Sequence, residues 1–350
     1  MTAPPRIYVT DCEGPLSKND NAQELAERFI PGGAELFARL SRYDDYLADI
    51  VHREGYNAGD TLRLLPPFLK AFEVTDEDVE RFSAERVLLV PGALKALGHI
   101  GSLMATFIIS TSYTPYLRAL CALTGFPFER VWCTELHLDA WALPAAEKAW
   151  LREYAERVLT RRVLEIPDGA EGPGDLAAED RDTVAELDRL FWIDMAGKVS
   201  GELLAAVRPV GGGMKLAALE AIAAAHGVSG ADVMYVGDSI TDAPALAAVR
   251  AWGGVSLSFN GNGYAVAAAE FAAASPDADV QARLARAFAD GGRDGVAAAV
   301  RAWPRPAPGA RLSGRTRARV GIVAEERDAL AEASAAMRRS VRGERVARLG

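Results

Sequence analysis

The chain has little with which to cross-link itself, enter a bilayer or grip nucleic acid. Only 3 of its 350 residues are cysteine. Cys12, Cys121 and Cys133 show no paired spacing, so free thiols in a reducing compartment are expected. No uninterrupted apolar run approaches the roughly 18 residues of a membrane span. The longest apolar region, residues 87–109, is broken by Pro91, Lys95 and His99. Residues 1–6 lack the basic start and apolar stretch of a signal peptide, and a cytoplasmic location is expected. Positive charge is short as well: the net charge is −9. The last 50 residues hold 12 Arg against 5 acidic residues, which leaves −16 on the rest. An acidic body argues against general nucleic-acid binding. Histidine is scarce, with only His52, His99, His137 and His226.

Half of the residues are hydrophobic and a quarter are charged, which suits a large core and more than one domain. Apolar, β-branched runs alternate with helical patterns, the signature of a parallel α/β fold. The runs are 7–10, 87–90, 105–109, 131–138, 233–236 and 254–258. Helical patterns cover 93–100, 116–123 and 215–225, the last stopped by Gly227. Two mostly helical stretches interrupt the rhythm. Residues 17–87 are expected to form a cap over the site. Residues 141–207, with a Gly/Asp/Pro-rich loop at 167–174, either extend the core or enlarge that cap. The core is then 1–16 with 88–303. Residues 304–350 are a Pro/Arg-rich tail in which Pro304, Pro306 and Pro308 break regular structure. An Arg-rich amphipathic helix is expected over 320–341, solvated or docked on the acidic body of its own or a neighbouring chain.

Four separated segments supply the parts for moving a phosphoryl group. Asp11-Cys12-Glu13-Gly14 ends the first apolar run. Ser110-Thr111-Ser112 ends the run at 105–109. Lys215 follows Gly211-Gly212-Gly213 and opens a helix. Gly237-Asp238-Ser239-Ile240-Thr241-Asp242 ends the run at 233–236. Open α/β sheets bind ligands at the carboxyl ends of their strands. A carboxylate can attack phosphorus and form an aspartyl-phosphate, and a hard divalent cation then offsets the repulsion between two anions. Asp11 is the expected nucleophile and Asp238 a metal ligand. Glu13 can protonate the leaving oxygen and then activate water. Ser110 and Thr111 are expected to hold the phosphoryl group, with Lys215 neutralising its oxygens. Asp242 can hold Lys215 or a metal-bound water.

This constellation resembles the haloacid dehalogenase (HAD) superfamily, in the branch that contains phosphoserine phosphatase, over about residues 5–290. The resemblance implies an α/β, Rossmann-like core with an inserted helical cap of the C1 type, Mg²⁺ dependence and an aspartyl-phosphate intermediate. It implies Asp11, Glu13 (through its backbone carbonyl) and Asp238 as metal ligands. The family's usual second aspartate is Glu13 here. A similar start occurs in a phosphoserine:homoserine phosphotransferase, so either water or an alcohol is a possible acceptor. Matching the start of the cap to phosphoserine phosphatase sets Asp20 against a substrate amino group and Arg63 against a substrate carboxylate. The run from Asp11 to Pro15, with Ser258-Phe259-Asn260-Gly261-Asn262, is also similar to subunit R of energy-converting hydrogenase A, which implies the same fold in a subunit role. The expected partner is a small phosphorylated metabolite, with neither nucleic acid nor membrane.

Other readings compete at single positions. Gly237-Asp238-Ser239 also fits the nucleophile block of GDSL-type esterases, but no histidine follows Ser239 to serve as its base. Cys133, Glu135, His137 and Asp139 alternate, and a strand would set them on one face as candidate transition-metal ligands or as a polar edge. Cys12 is expected to pack in the core. Tyr43-Asp44-Asp45-Tyr46 either lines a pocket or forms an exposed helix face. Ser110 to Ser112 can also cap the helix ahead of Pro115. Asn260 and Asn262 fit turn chemistry.

Overall fold

Seven strands form a single sheet in the order β3-β2-β1-β4-β5-β6-β7. They are β1 (Ile7–Thr10), β2 (Ala105–Tyr113), β3 (Val131–Thr134), β4 (Val233–Gly237), β5 (Val255–Phe259), β6 (Phe271–Ala274) and β7 (Arg319–Ile322). All neighbours are parallel except β6 and β7. The computed structural model describes residues 5–167, 169–304 and 318–343. Pro306 and Pro308 of the proline-rich segment lie outside the described residues. Among the described residues no helix is long and apolar enough to cross a membrane.

The strands read as continuous apolar runs because both faces of the sheet are covered. Tyr8, Ile108, Met234 and Leu257 point into one cluster, which the helices Ala93–Leu103 and Asp279–Arg301 close. Ile7, Val9, Phe107 and Tyr235 point into another, closed by Gly213–Ala225 and Ala243–Ala251. A larger cluster lies off the sheet. It joins side chains from 22–82 with side chains from 136–207. Phe191 stacks on Tyr43 with ring centroids 6.2 Å apart and meets Phe68 edge-on. The Trp192 indole donates to the Tyr43 hydroxyl at 2.8 Å. The two helical stretches therefore share one interior.

Several sequence expectations need correction. The run 87–90 is not a strand of the sheet. It pairs with the outgoing chain at 16–18: the Lys18 amide donates to Leu88 O at 2.8 Å, and the Val90 amide to Leu16 O at 2.9 Å. The two connections to the 21–86 helices are thus laced to each other. The strand expected over 131–138 stops at Thr134 because the chain then turns, burying Leu136 and Leu138 in the off-sheet cluster. Ser110 to Ser112 stay in β2 and do not cap the next helix, whose N-cap is Tyr113. The expected helix over 320–341 begins as β7 and turns helical only from Val323 to Arg342.

Candidate active site

The sheet order reverses at β1: β2 and β3 follow on one side, β4 to β7 on the other. Such a reversal opens a crevice at the carboxyl ends of the strands. Asp11 and Asp238 stand at the ends of β1 and β4, and the Asp11 amide donates to Val236 O at 2.9 Å. Gly14 makes room for them. Its φ is +101°, and a Cβ there would lie 2.2 Å from the Asp238 carboxyl carbon.

Lys215 is brought in from the far side. Thr134 Oγ1 donates to Thr111 O and accepts from the Val210 amide at 3.0 Å, and Thr111 Oγ1 donates to Val210 O at 3.1 Å. Strand ends thereby fix the segment that leads into the three glycines. Gly211 packs on the loop of the 17–87 segment: a Cβ would stand 2.3 Å from Ala58 O. The helix Gly213–Ala225 then aims Lys215 at the crevice. Its ammonium is fully buried and donates to Asp11 Oδ2 and Asp242 Oδ1, each at 2.7 Å.

Asp242 also accepts from Tyr235 OH at 2.8 Å and from the Asp238 and Ser239 amides at 3.0 and 3.1 Å. Burial would raise its carboxyl, but Lys215 and these donors hold it below the usual range. Burial pushes Asp11 up to about 7 against the pull of Lys215. Burial would lower the lysine, and the two carboxylates more than reverse that, so it stays charged. Glu13 accepts from the Asn21 amide at 2.8 Å. Burial and then Asp20 push its carboxyl well above the usual range.

Asp11, Glu13, Asp20, Ser110, Thr111 and Asp238 line one cavity of about 110 Å³. Lys215 and Asp242 lie directly behind it. Asp44 and Asp45 are on its wall. Asp44 accepts from the Gly59 and Thr61 amides at 2.9 and 3.1 Å, a bracing role for that loop. Asp20 caps the helix Asn21–Phe29 through the Gln23 amide at 3.0 Å.

Arg63 is not on the cavity wall. It pairs with Asp60 at 3.2 Å and lies over the Tyr56 and Trp192 rings. The guanidinium groups on the wall are Arg338 and Arg342 of the C-terminal helix. Arg338 Nη1 donates to Asp238 Oδ2 and to its backbone oxygen, and Arg342 Nη1 donates to Asp238 Oδ2 at 2.9 Å. Sequence reading missed both.

The remaining candidates resolve into structure. Cys133 contacts Thr114, Glu135 and His137 are exposed, and Asp139 pairs with Lys70, so the alternating set makes no metal centre. Cys12 is buried in the core, where burial pushes its thiol well up. Asn260 clasps Ser275, and Asn262 caps the helix Gly263–Ala268. Ser239 bonds Thr241 and Asp242.

Among the described residues Asp11, Asp238 and Asp242 offer carboxylate oxygens that lie within 4.8 Å of one another. Asp242 is spoken for by Lys215, Tyr235 and two amides. Asp11 and Asp238, which also accept from Lys215 and from the two arginines respectively, are the members that face the cavity, an oxygen-only pair. That donor set fits Mg²⁺, which takes one or two carboxylates and completes its shell with water and phosphate.

No family model matches the sequence, and no curated protein matches it. Solved structures do. A phospho-aspartyl intermediate analogue of phosphoserine phosphatase is 14% identical, over 77% of this chain and 92% of that one, with a TM-score of 0.45. HAD family hydrolase t0658 from Salmonella enterica serovar Typhi is 12% identical, over 75% of this chain and 65% of that one, with a TM-score of 0.43. Neither score carries a fold or a function across. The gene product AF1437 from Archaeoglobus fulgidus is a different case, with 30% identity over 99% of both chains and a TM-score of 0.83. The chain belongs to the same family as that archaeal protein.

Proposed function

We propose that the chain is a Mg²⁺-dependent phosphatase of the HAD type, acting on a phosphomonoester of a small metabolite. The observation that carries this reading is the buried Lys215 ammonium, 2.7 Å from both Asp11 and Asp242, behind a carboxylate pair at the sheet's switch point. A bland strand-end turn has no use for a lysine buried among three carboxylates.

Asp11 attacks phosphorus, and the bond to the substrate's oxygen breaks. Glu13, whose carboxyl burial and then Asp20 push well above the usual range, gives its proton to the leaving oxygen. Water then attacks phosphorus while Glu13 takes its proton, and phosphate leaves with Asp11 restored. Ser110 and Lys215 hold the phosphoryl oxygens. Bound Mg²⁺, held by Asp11 and Asp238, would supply the positive charge that brings two anions together. A cavity of about 110 Å³ has room for a phosphoryl group and a few more atoms, which favours small substrates over proteins. The 17–87 helices would act as the cap that excludes bulk water. Arg63 is turned away, so a substrate carboxylate at that residue is no part of this proposal.

Phosphate release from p-nitrophenyl phosphate, with and without Mg²⁺, tests the reading. Asp11→Asn should cost at least about 1,000-fold in kcat. Turnover that survives that substitution would overturn it. Phosphate passing to an added alcohol faster than to water would turn the hydrolase into a transferase, as Glu13 allows.

A further inference from the structure

The two cavity-wall arginines have no part in the chemistry just described, yet they occupy its centre. Arg338 and Arg342 stand one turn apart on the helix Val323–Arg342. Their side chains and that of Asp238 are each at most 5% exposed. Both guanidinium groups converge on Asp238 Oδ2, the carboxylate that would hold the cation. Arg342 reaches further. Its Nε donates to Lys18 O at 3.2 Å and its Nη2 to Asn19 O. Those carbonyls belong to the outgoing connection that pairs with residues 88–90. One side chain thus ties the C-terminal helix, the root of the 17–87 segment and the end of β4 together.

We propose that Arg338 and Arg342 are a built-in competitor for the divalent cation at Asp238, so that cation binding and docking of the C-terminal helix oppose each other. Two buried positive charges within hydrogen-bond reach of a carboxylate lower its affinity for a third, and that repulsion acts through little water. Coupling of this kind is reciprocal. The cation loosens the last turn of the helix by the factor by which the helix weakens the cation. Because Arg342 also holds Lys18 and Asn19, the same event frees the root of the cap. The proposal rests on the phosphatase reading only in placing the cation at Asp238.

Mn²⁺ binding to the full chain, read from the electron paramagnetic resonance of free Mn²⁺ without substrate, tests it. Arg342→Gln and Arg338→Gln should each bind Mn²⁺ more tightly by roughly 5- to 150-fold, the usual range of a coupling between sites. Arg342→Lys, which keeps the charge, should stay near the wild type. In the wild type, saturating Mg²⁺ should speed hydrogen exchange of the amides at 336–342. Unchanged or weaker Mn²⁺ binding in the Gln variants overturns the proposal, as does unchanged or slower exchange. Should the Gln variants fail to fold, the wild-type exchange decides alone. Loss of phosphatase activity in every assay, with the Mn²⁺ result intact, would instead count against the proposed function.

Discussion

Replacing Lys215 by Met keeps the bulk of the buried side chain and removes its charge. Asp11 and Asp242 then lose a shared partner at 2.7 Å and are left facing each other out of water. Removing one member of a buried ion pair costs about 3–5 kcal/mol. The variant has one escape, which is to protonate a carboxylate, and this limits the loss. Taking a proton onto a group with an unperturbed pKa near 3.9 costs about 1.4 kcal/mol per pH unit above that value. The ceiling is therefore roughly 5.6 kcal/mol at pH 8 and roughly 2.2 kcal/mol at pH 5.5. In the variant these carboxyls titrate far above their unfolded values, so its stability rises as the pH falls toward 4. The wild type carries the Asp11 share of that slope, because burial already sets that carboxyl at about 7, and lacks only the Asp242 share, because Lys215 holds Asp242 ionised. Urea unfolding in EDTA, followed by tryptophan fluorescence, should give a loss of about 3–5 kcal/mol at pH 8 and about 2 kcal/mol or less at pH 5.5. A loss that is the same at both pH values would refute the reasoning.

Gly14→Ala should lower both the melting temperature and phosphate release, because φ is +101° and the new methyl meets the Asp238 carboxyl at 2.2 Å. Backbone strain of that kind costs about 1–3 kcal/mol before any shift of Asp238 is counted, and an unchanged melting curve would contradict it. Ser239→Ala should keep phosphate release within about tenfold of the wild type, whereas a lost esterase nucleophile costs about 10⁴-fold or more.

Much of the sheet was legible because parallel strands covered on both faces are written as solid apolar runs. Residues 7–10, 105–109 and 233–236, and all but the first of 254–258, fall in strands. The misses have local causes. Phe271–Ala274 is nearly all alanine, a residue with little strand preference, and its place between β5 and β7 makes it a strand. Val87–Val90 is as apolar as any strand, yet it is spent on pairing the two connections of the 17–87 segment. The 141–207 stretch could not be assigned to either body because its apolar residues give a helical period without a partner. Phe191 is buried against Tyr43 and Phe68 of the 21–86 segment, and only three-dimensional contact says so.

The site divides in the same way. Asp11, Ser110 and Asp238 come at the ends of apolar runs and Lys215 follows three glycines, and those positions are visible in one dimension. The arginines are not, yet the sequence carried a trace of them. On the helix Val323–Arg342 the buried positions include Leu330, Ser334, Met337 and Arg338. Arg338 lies in phase with the apolar stripe rather than opposite it. A guanidinium on the buried face of a helix needs an anionic partner, since burying a charge without one is costly. The first 300 residues carry −16, with three aspartates gathered at one crevice. A basic tail on an acidic body is either solvated or docked, and the phase of Arg338 on its helix decides for docking. Had the arginine fallen on the outer face, solvation would have been the right expectation, as it is for exposed Arg339.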